Sequence, residues 1–327
     1  MPLISSDYDP PILFRNTHIA TIYSGTIRKV NGLTQIRETI PTPDDDFMDL
    51  DWSYAYETTE STTDRLIVIL HGLEGNAQRP YITGVAKIFN KKGFDACAMN
   101  FRGCSGTPNK LFRSYHSGVT EDLACIIDHI TANHSHYRSV VLFGFSLGAN
   151  VTLKYLGETS KVPDIIKAAV AVSAPCDLYD AMLELHKPVN FLYALRFKMN
   201  LIEKLKIKKE QFPELVSDAD IKSVHKLRDF DEVYTSRAHN FKDAEDYYRR
   251  ASSLPVLENI NIPALLLNAT NDSFLGMNCY PIEIARKNPF LFLEMPEYGG
   301  HVGFFEKGNI FFNEQRGISF ISEILSL

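Results

Sequence analysis

The chain has 327 residues, of which 45% are hydrophobic and 23% are charged, so it can bury a full-sized core. This length favours one large α/β domain with an insertion over two independent domains. Its net charge of −6 at pH 7 excludes the basic surface that a nucleic-acid-binding protein needs, and we expect no nucleic-acid partner. The five cysteines include no Cys-x-x-Cys pair, which indicates reduced thiols and excludes a disulfide framework or a zinc site.

The N-terminal segment lacks the basic and apolar regions of a secretory signal. No apolar run reaches the roughly eighteen residues that a membrane span requires. The sequence therefore predicts a cytoplasmic protein without an integral membrane segment. Peripheral contact with lipid is compatible with this prediction. Residues 1–30 are of mixed character, include Pro10-Pro11, and are predicted to form an arm laid over the domain.

Strand-like and helix-like segments alternate after the arm. Residues 34–40 and 47–54 are predicted strands joined by Pro43-Asp44-Asp45-Asp46, for which we expect a solvated turn rather than a cation site. Residues 65–70 are a predicted strand in which 66–70 form a continuous apolar run, as is typical of a central parallel strand. The strict alternation predicts parallel strands with right-handed crossovers. The other predicted elements are strands at 94–99, 140–143, 165–173, 264–270 and 289–295, and helices at 81–90, 119–132 and 314–325.

A serine lies at the apex of a predicted strand, turn and helix. The apolar run 140–143 leads into Gly144-Phe145-Ser146-Leu147-Gly148, and helical spacing continues as far as Gly157. A Gly-x-Ser-x-Gly turn in this context is typical of the nucleophile elbow of α/β-hydrolases. The alternative is an ordinary Gly-Ser turn between two core elements. We therefore predict that Ser146 is a nucleophile.

The loop His71-Gly72-Leu73-Glu74-Gly75 follows the predicted central strand. In α/β-hydrolases this loop supplies one backbone N–H of the oxyanion hole, and the residue after the nucleophile supplies another. We predict that the amides of Leu73 and Leu147 have these roles; the alternative is an ordinary strand-to-helix loop. A later glycine-rich loop at 100–106 lacks the spacing of a phosphate-binding motif, and its Arg102 is predicted to anchor neighbouring loops rather than a substrate.

The pattern changes between residues 177 and 250. This stretch is richer in lysine, phenylalanine and tyrosine and contains no strand-like run, which predicts a helical insertion that caps the site. Phe197, Leu201 and Leu205 share one helical face with lysines nearby. We interpret this as a cap helix with a solvated basic face, the alternative being contact with a membrane surface or an acyl chain. The predicted domains are the arm at 1–30, the α/β core at 31–176 and 251–327, and the cap at 177–250.

Ser146, Asp272 and His301 each follow a predicted parallel strand, in the chain order serine, acid, histidine. Because the carboxyl ends of parallel strands meet at one edge of a sheet, we expect these side chains to lie together. Asp177 is the alternative acid, and His71 is the rival base, disfavoured by its place in the oxyanion loop. The trio predicts acyl transfer, in which the histidine takes the serine proton and the aspartate orients the imidazole. This chemistry predicts no metal and no organic cofactor.

Several motifs together resemble the YheT-like α/β-hydrolases, a group that also takes in plant embryogenesis-associated hydrolases and some animal lipases. They are His71-Gly-Leu-Glu-Gly75, Asn100-Phe-Arg-Gly-Cys-Ser-Gly106, Tyr115-His-Ser-Gly118, Gly144-Phe-Ser-Leu-Gly148, Asn271-Asp272 and Gly299-Gly-His-Val-Gly-Phe304. The resemblance spans nearly the whole chain. It implies an α/β-hydrolase fold with a mostly parallel central sheet, the same triad, and hydrolysis of short-chain esters or acylglycerols.

The sequence thus predicts a serine carboxylic ester hydrolase whose partner is a small-molecule ester or lipid substrate. Two alternatives are open: an acyltransferase that uses the same triad, and a non-catalytic binding protein with this fold. Glu74 is the notable departure, because a carboxylate that points into the oxyanion loop would disfavour anionic substrates.

Overall fold

The computed structural model describes residues 2–58 and 60–326. The strands are β1 (Leu3–Ile4), β2 (Ile36–Pro41), β3 (Phe47–Ser53), β4 (Arg65–Leu70), β5 (Asp95–Asn100), β6 (Ser139–Phe145), β7 (Ile166–Val172), β8 (Ala264–Leu267) and β9 (Leu291–Glu294). The α-helices are α1 (Thr17–Ile22), α2 (Pro80–Lys91), α3 (Thr120–Asn133), α4 (Leu147–Glu158), α5 (Leu178–Leu185), α6 (Phe191–Gln211), α7 (Asp218–Ser223), α8 (Leu227–Phe230), α9 (Ser236–Ala238), α10 (Ala244–Ala251), α11 (Ile282–Lys287) and α12 (Phe312–Leu325). Shorter turns of the 3-10 and π types lie at Ile12–Arg15, Tyr23–Ile27, Ala55–Glu57, Pro188–Asn190, Asp231–Thr235, Leu254–Asn259 and Met277–Cys279.

All strands of the described chain join one sheet in the order β1-β9-β8-β7-β6-β4-β5-β3-β2. Only β3 among them runs antiparallel to its neighbours β2 and β5, and the other pairs are parallel. The predicted mostly parallel α/β sheet is confirmed. Because β6, β8 and β9 are parallel, the loops that follow them leave the sheet at the same edge.

Strand β4 lies at the centre of the core, as its apolar run predicts. Leu66 and Val68 face a layer that contains Leu123 of α3. Ile67 on the opposite face packs in a layer with Phe89 of α2. Residues 66–70 are fully buried because helices cover both faces of the sheet, which explains why this strand is apolar throughout instead of alternating. The five cysteines are free, and Cys97, Cys104, Cys176 and Cys279 are buried.

The hairpin turn between β2 and β3 is only in part the solvated turn that the sequence predicts, because Pro43 and Asp45 are exposed whereas Asp46 is buried. Asp46 is 1% exposed, and Arg102 Nη1 lies 3.2 Å from its Oδ2 and 2.9 Å from Asp44 Oδ2. The other side of the same guanidinium donates to Asp122, with Nη2 at 2.7 Å from Oδ1. Arg102 thus ties the turn to α3 and to its own loop, which is the anchoring role predicted for it. Asp44 and Asp46 of the turn accept hydrogen bonds from the Arg102 guanidinium.

Replacing Arg102 by methionine is expected to lower the free energy of unfolding by about 3–5 kcal/mol, because the buried Asp122 would lose its cationic partner and the buried Asp46 would keep only neutral donors such as Asn109. Urea denaturation would measure the loss. The matched control is Arg228→Met, which removes an exposed ion pair with Glu245 and is expected to cost under about 1 kcal/mol. Equal effects of the two substitutions would contradict the anchoring role.

Between β7 and β8 the described chain forms α5 to α10 and no strand. Leu201 and Leu205 of α6 pack in one cluster with Phe230, and Phe197 lies against it. The expected solvated basic face is wrong for part of α6, because Lys208 is 5% exposed and donates to Asn109 Oδ1 at 2.9 Å. Burial lowers the pKa of Lys208 to about 8. Across both described ranges, every helix is too short or too polar to cross a bilayer.

Candidate active site

Ser146 lies between the last residue of β6 and the first residue of α4, with φ 52° and ψ −117°. A positive φ is strained for a residue with a side chain. The turn keeps this positive φ because strand and helix pass very close to each other. A Cβ on Gly148 would lie 2.6 Å from the Leu70 carbonyl oxygen and 2.7 Å from that of His71. Only glycine fits there, so the spacing of the motif follows from the packing of α4 against β4.

The structure brings Ser146, His301 and Asp272 together. The Nε2 atom of His301 is 2.8 Å from Ser146 Oγ, and its Nδ1 atom is 2.8 Å from Asp272 Oδ2. The other oxygen of Asp272 accepts the backbone N–H of Phe274 at 2.9 Å. The Phe274 ring stacks on the imidazole with centroids 4.3 Å apart. Asp272 and His301 are 4% and 7% exposed, so the pair is shielded from water.

The alternative acid, Asp177, has a different role in the structure. It precedes α5, and its Oδ1 accepts the backbone N–H of Asp180 at 3.1 Å as a helix N-cap. Its Oδ2 accepts Asn278 Nδ2 at 3.0 Å. No contact joins Asp177 to His301 among the residues that the structure describes. Its two oxygens are thus used to start a helix and to hold a neighbouring loop.

The rival histidine, His71, is fully buried and has both ring nitrogens engaged. Its Nδ1 is 2.8 Å from the Gly72 carbonyl oxygen, and its Nε2 accepts the Phe101 backbone N–H at 3.1 Å. Burial lowers the pKa of His71 to about 3. The imidazole is therefore neutral at physiological pH and connects two loops. It has no free nitrogen with which to accept a proton from Ser146.

Because of this lowered pKa, we expect a pH-dependent stability effect of His71→Gln. The unfolded chain protonates His71 below about pH 6.5, whereas the native protein does not until about pH 3, so the native protein loses stability as the pH falls through this range. The variant should be less stable at pH 7, and its deficit should shrink by up to about 1.4 kcal/mol per pH unit on acidification. Urea denaturation at pH 7, 6 and 5 would measure the difference in free energy of unfolding between the wild type and the variant. A difference that does not change with pH would contradict the prediction.

The predicted oxyanion residues also lie beside Ser146. A Cβ on Gly72 would be 3.1 Å from Ser146 Cβ, so the loop after β4 touches the elbow. Leu147 is the first residue of α4, where a backbone N–H has no partner within the helix. The amide of Leu73 has no acceptor within the described part of the chain. Both N–H groups are thus free to donate to a substrate oxygen.

The N-terminal segment holds the histidine loop, a role that sequence reasoning missed. Thr21 Oγ1 of α1 accepts the backbone N–H of His301 at 2.9 Å. Ser24 donates its hydroxyl to the Val302 carbonyl oxygen at 2.8 Å, and the Val302 N–H donates to Ser173 Oγ at 2.9 Å. These groups fix the backbone on both sides of the imidazole. Threonine and serine in a mixed segment give no sequence signal for such a role.

A cavity of about 270 Å³ adjoins Ser146 and His301. On the core side it is bounded by Leu73, Leu147 and Phe274. The helices between β7 and β8 contribute a mostly apolar wall: Leu178, Met182, Leu185, Phe197, Leu201, Leu227 and Phe230. An apolar group of a substrate can therefore lie next to the serine.

A possible set of metal ligands lies elsewhere. Within the described ranges, Glu38, His129 and His134 offer ligand atoms that are all within 4.8 Å of one another. His129 Nε2 is 2.9 Å from Glu38 Oε1, so this pair is already a hydrogen bond. Glu38 is on β2, an edge strand four positions from β6 in the sheet, and the group has no part in the site around Ser146.

Comparison with known proteins agrees with this architecture. A family model described as "Serine aminopeptidase, S33" matches residues 61–277. The protein named "Putative esterase YheT" of Escherichia coli (strain K12) is 34% identical over 304 residues, which cover 92% of this chain and 87% of YheT. The phospholipase ABHD3 of Homo sapiens is 30% identical over 312 residues, which cover 93% of this chain and 75% of ABHD3.

Among solved structures, the esterase Pf2001 of Pyrococcus furiosus has the same fold. Its TM-score is 0.58 at 17% identity, with 99% of this chain and 98% of that chain covered. The predicted α/β-hydrolase fold and the predicted resemblance are both confirmed. Because the family model and the similarity to YheT extend over most of the sequence, this chain belongs to the α/β-hydrolase family, in its YheT-like group.

Proposed function

We propose that this chain is a serine hydrolase that cleaves carboxylic esters through a Ser146-His301-Asp272 triad and an acyl-enzyme intermediate. The observation that carries the proposal is the pair of 2.8 Å contacts that link Ser146 Oγ, the His301 ring and Asp272 beside an apolar cavity. The names of its relatives, an esterase and a phospholipase, support this class of reaction.

In the first half of the reaction, Ser146 Oγ attacks the ester carbonyl carbon and passes its proton to His301 Nε2. His301 Nδ1–H donates to Asp272, which fixes the tautomer and stabilises the positive charge of the imidazolium. The tetrahedral intermediate then breaks its C–O bond to the alcohol. The departing oxygen takes the proton from Nε2 and leaves an ester between the acyl group and Ser146.

In the second half, His301 takes a proton from water as the water attacks the acyl-enzyme, and returns it to Ser146 Oγ when the carboxylic acid departs. In both halves, the negatively charged oxygen of the tetrahedral intermediate accepts hydrogen bonds from the backbone N–H groups of Leu73 and Leu147. Each such donor typically accelerates the reaction by about 10²- to 10³-fold. The chemistry needs neither a metal ion nor an organic cofactor.

The substrate class follows from the cavity. We propose that residues 177–250 act as a cap whose apolar wall holds the acyl chain or the apolar alcohol of the ester. Exposed apolar side chains on α1 and α6 support peripheral lipid contact, since Ile22 is 43% exposed and Leu192 is 73% exposed. The two helices meet where His18 Nδ1 lies 3.2 Å from Tyr193 Oη. Lipid esters therefore join short-chain esters as candidate substrates.

The test is hydrolysis of p-nitrophenyl esters from acetate to palmitate, together with labelling by a fluorophosphonate probe. We expect turnover, labelling of Ser146, and an optimum chain length that reports how much of the cavity an acyl chain fills. No hydrolysis and no labelling would overturn the proposal. Adding an alcohol to the assay tests the acyltransferase alternative, since a transferase would convert the acyl-enzyme mainly to the new ester rather than to the free acid.

A further inference from the structure

The turn that presents the Leu73 amide is strained at its third residue. The Gly75 N–H donates to the Gly72 carbonyl oxygen at 3.0 Å, which closes a four-residue turn over Gly72–Gly75. Glu74 in this turn has φ 54°, a conformation that usually requires glycine or asparagine. A residue with a side chain stays there only if the surrounding contacts hold it. The contacts of Glu74 therefore decide whether the Leu73 amide stays beside Ser146.

Those contacts come from three side chains, of which Arg79 Nη2 donates to the Glu74 carbonyl oxygen at 3.0 Å. Tyr115 Oη donates to Glu74 Oε1 at 2.6 Å and accepts the Glu74 backbone N–H at 3.1 Å. Lys204 Nζ lies 2.8 Å from the same Oε1 atom. The Glu74 side chain is only 6% exposed, so Lys204 neutralises a carboxylate that water scarcely reaches. Glu74 is thus directed towards a cation and a phenol, and its charge is compensated before a substrate arrives.

Lys204 belongs to α6, which lies between β7 and β8, whereas the turn belongs to the α/β core. Its ammonium also lies 3.0 Å from Cys104 Sγ and 4.9 Å from the centre of the Tyr115 ring. Neighbouring lysines of α6 do not reach the turn: Lys206 pairs with Glu203, and Lys208 donates to Asn109. Lys204 is the lysine of this helix that contacts the oxyanion loop.

We propose that Lys204 is a positioning residue, which holds the strained Gly72–Gly75 turn through Glu74 and so makes the Leu73 oxyanion donor depend on the docking of α6. This inference rests on the proposed esterase function and extends it. When α6 is docked, the ion pair holds the turn in the conformation that presents the amide. When α6 moves away, Glu74 loses its cation and the turn can relax to an unstrained form in which the amide no longer faces the substrate oxygen.

The test is the turnover of a p-nitrophenyl ester by Lys204→Met, Glu74→Gln and the double variant. We expect kcat to fall by about 10- to 100-fold in Lys204→Met with KM changed less than about twofold, because an oxyanion donor acts on the transition state and not on the bound ester. In the Glu74→Gln background the same substitution should lower kcat by less than about threefold. Lys204→Arg keeps the charge and should restore most of the lost kcat.

The matched control is Lys206→Met, which removes a lysine of the same helix and should leave kcat within about twofold of the wild type. If Lys204 instead binds the substrate, KM will rise and the effects of the two substitutions will multiply, which overturns the inference. Should Lys204→Met fail to fold, a wild-type kcat in Glu74→Gln would overturn it as well. Absence of hydrolysis by the wild type would reject the esterase proposal itself, whereas an active wild type with a fully active Lys204→Met rejects only the positioning role.

Discussion

Replacing Ser146 by alanine is expected to lower kcat/KM for a p-nitrophenyl ester by at least about 10⁴-fold. The substitution removes only the serine hydroxyl group, whose oxygen lies 2.8 Å from His301 Nε2 at the apex of the elbow. Without it no acyl-enzyme forms, and hydrolysis relies on water held near the imidazole. The oxyanion amides and the cavity stay in place, so substrate binding should change little.

Ester hydrolysis and fluorophosphonate labelling would both be measured for this variant. The matched control is Ser223→Ala, since Ser223 is exposed at the end of α7 and should tolerate the change without loss of activity. Loss of labelling in Ser146→Ala together with unchanged thermal unfolding would identify Ser146 as the nucleophile. Retention of more than about one-tenth of wild-type activity would place the reacting group elsewhere.

The second large effect is expected from Asp272→Asn, which should lower kcat by about 10⁴-fold. The carboxylate accepts His301 Nδ1–H at 2.8 Å, so Nε2 is the nitrogen without a proton and can accept the one from Ser146. An amide in this position stabilises the opposite tautomer and cannot balance the charge of the imidazolium. The Phe274 backbone N–H can still bond the amide oxygen, so the loop should keep its shape.

Asp177→Asn provides the control that separates the two candidate acids. Asparagine caps helices about as well as aspartate, so α5 should keep its start and activity should stay within about twofold of wild type. Steady-state kinetics on the two purified variants would compare them directly. A larger loss in Asp177→Asn than in Asp272→Asn would reverse the assignment of the triad acid.

Much of the fold and the position of the candidate site could be predicted because the relevant signals are local. A strand buried on both faces must be apolar, so the apolar residues 66–70 identify β4 without further information. The glycine spacing around Ser146 follows from the close approach of α4 to β4, and the loops after parallel strands share one edge of the sheet. Predicted strand and helix ends differ from the observed ones by only a few residues, as for 81–90 against Pro80–Lys91.

The errors concern side chains whose environment is made by distant parts of the chain. The sequence around Asp46 is that of an exposed turn, and donors more than fifty residues later, among them Arg102 and Asn109, make it a buried hydrogen-bond acceptor. The sequence likewise leaves the direction of the Glu74 carboxylate undetermined, and the structure directs it to Lys204 of α6. The strand Leu3–Ile4 is too short for any periodicity and exists because β9 offers an edge. Such contacts depend on tertiary structure and leave no pattern in the sequence.

The contacts of the N-terminal segment have a consequence for the order in which the enzyme is made. Leu3 pairs with Leu293, and Thr21 supports His301, so the partners are separated by roughly 280 to 290 residues. During synthesis, Leu3 and Thr21 can therefore make these contacts only after Leu293 and His301 have been added to the chain. A nascent chain that already carries Ser146 still lacks its base and its acid. The proposed esterase activity should consequently appear only after His301 has been synthesised and the N-terminal segment has docked against its loop.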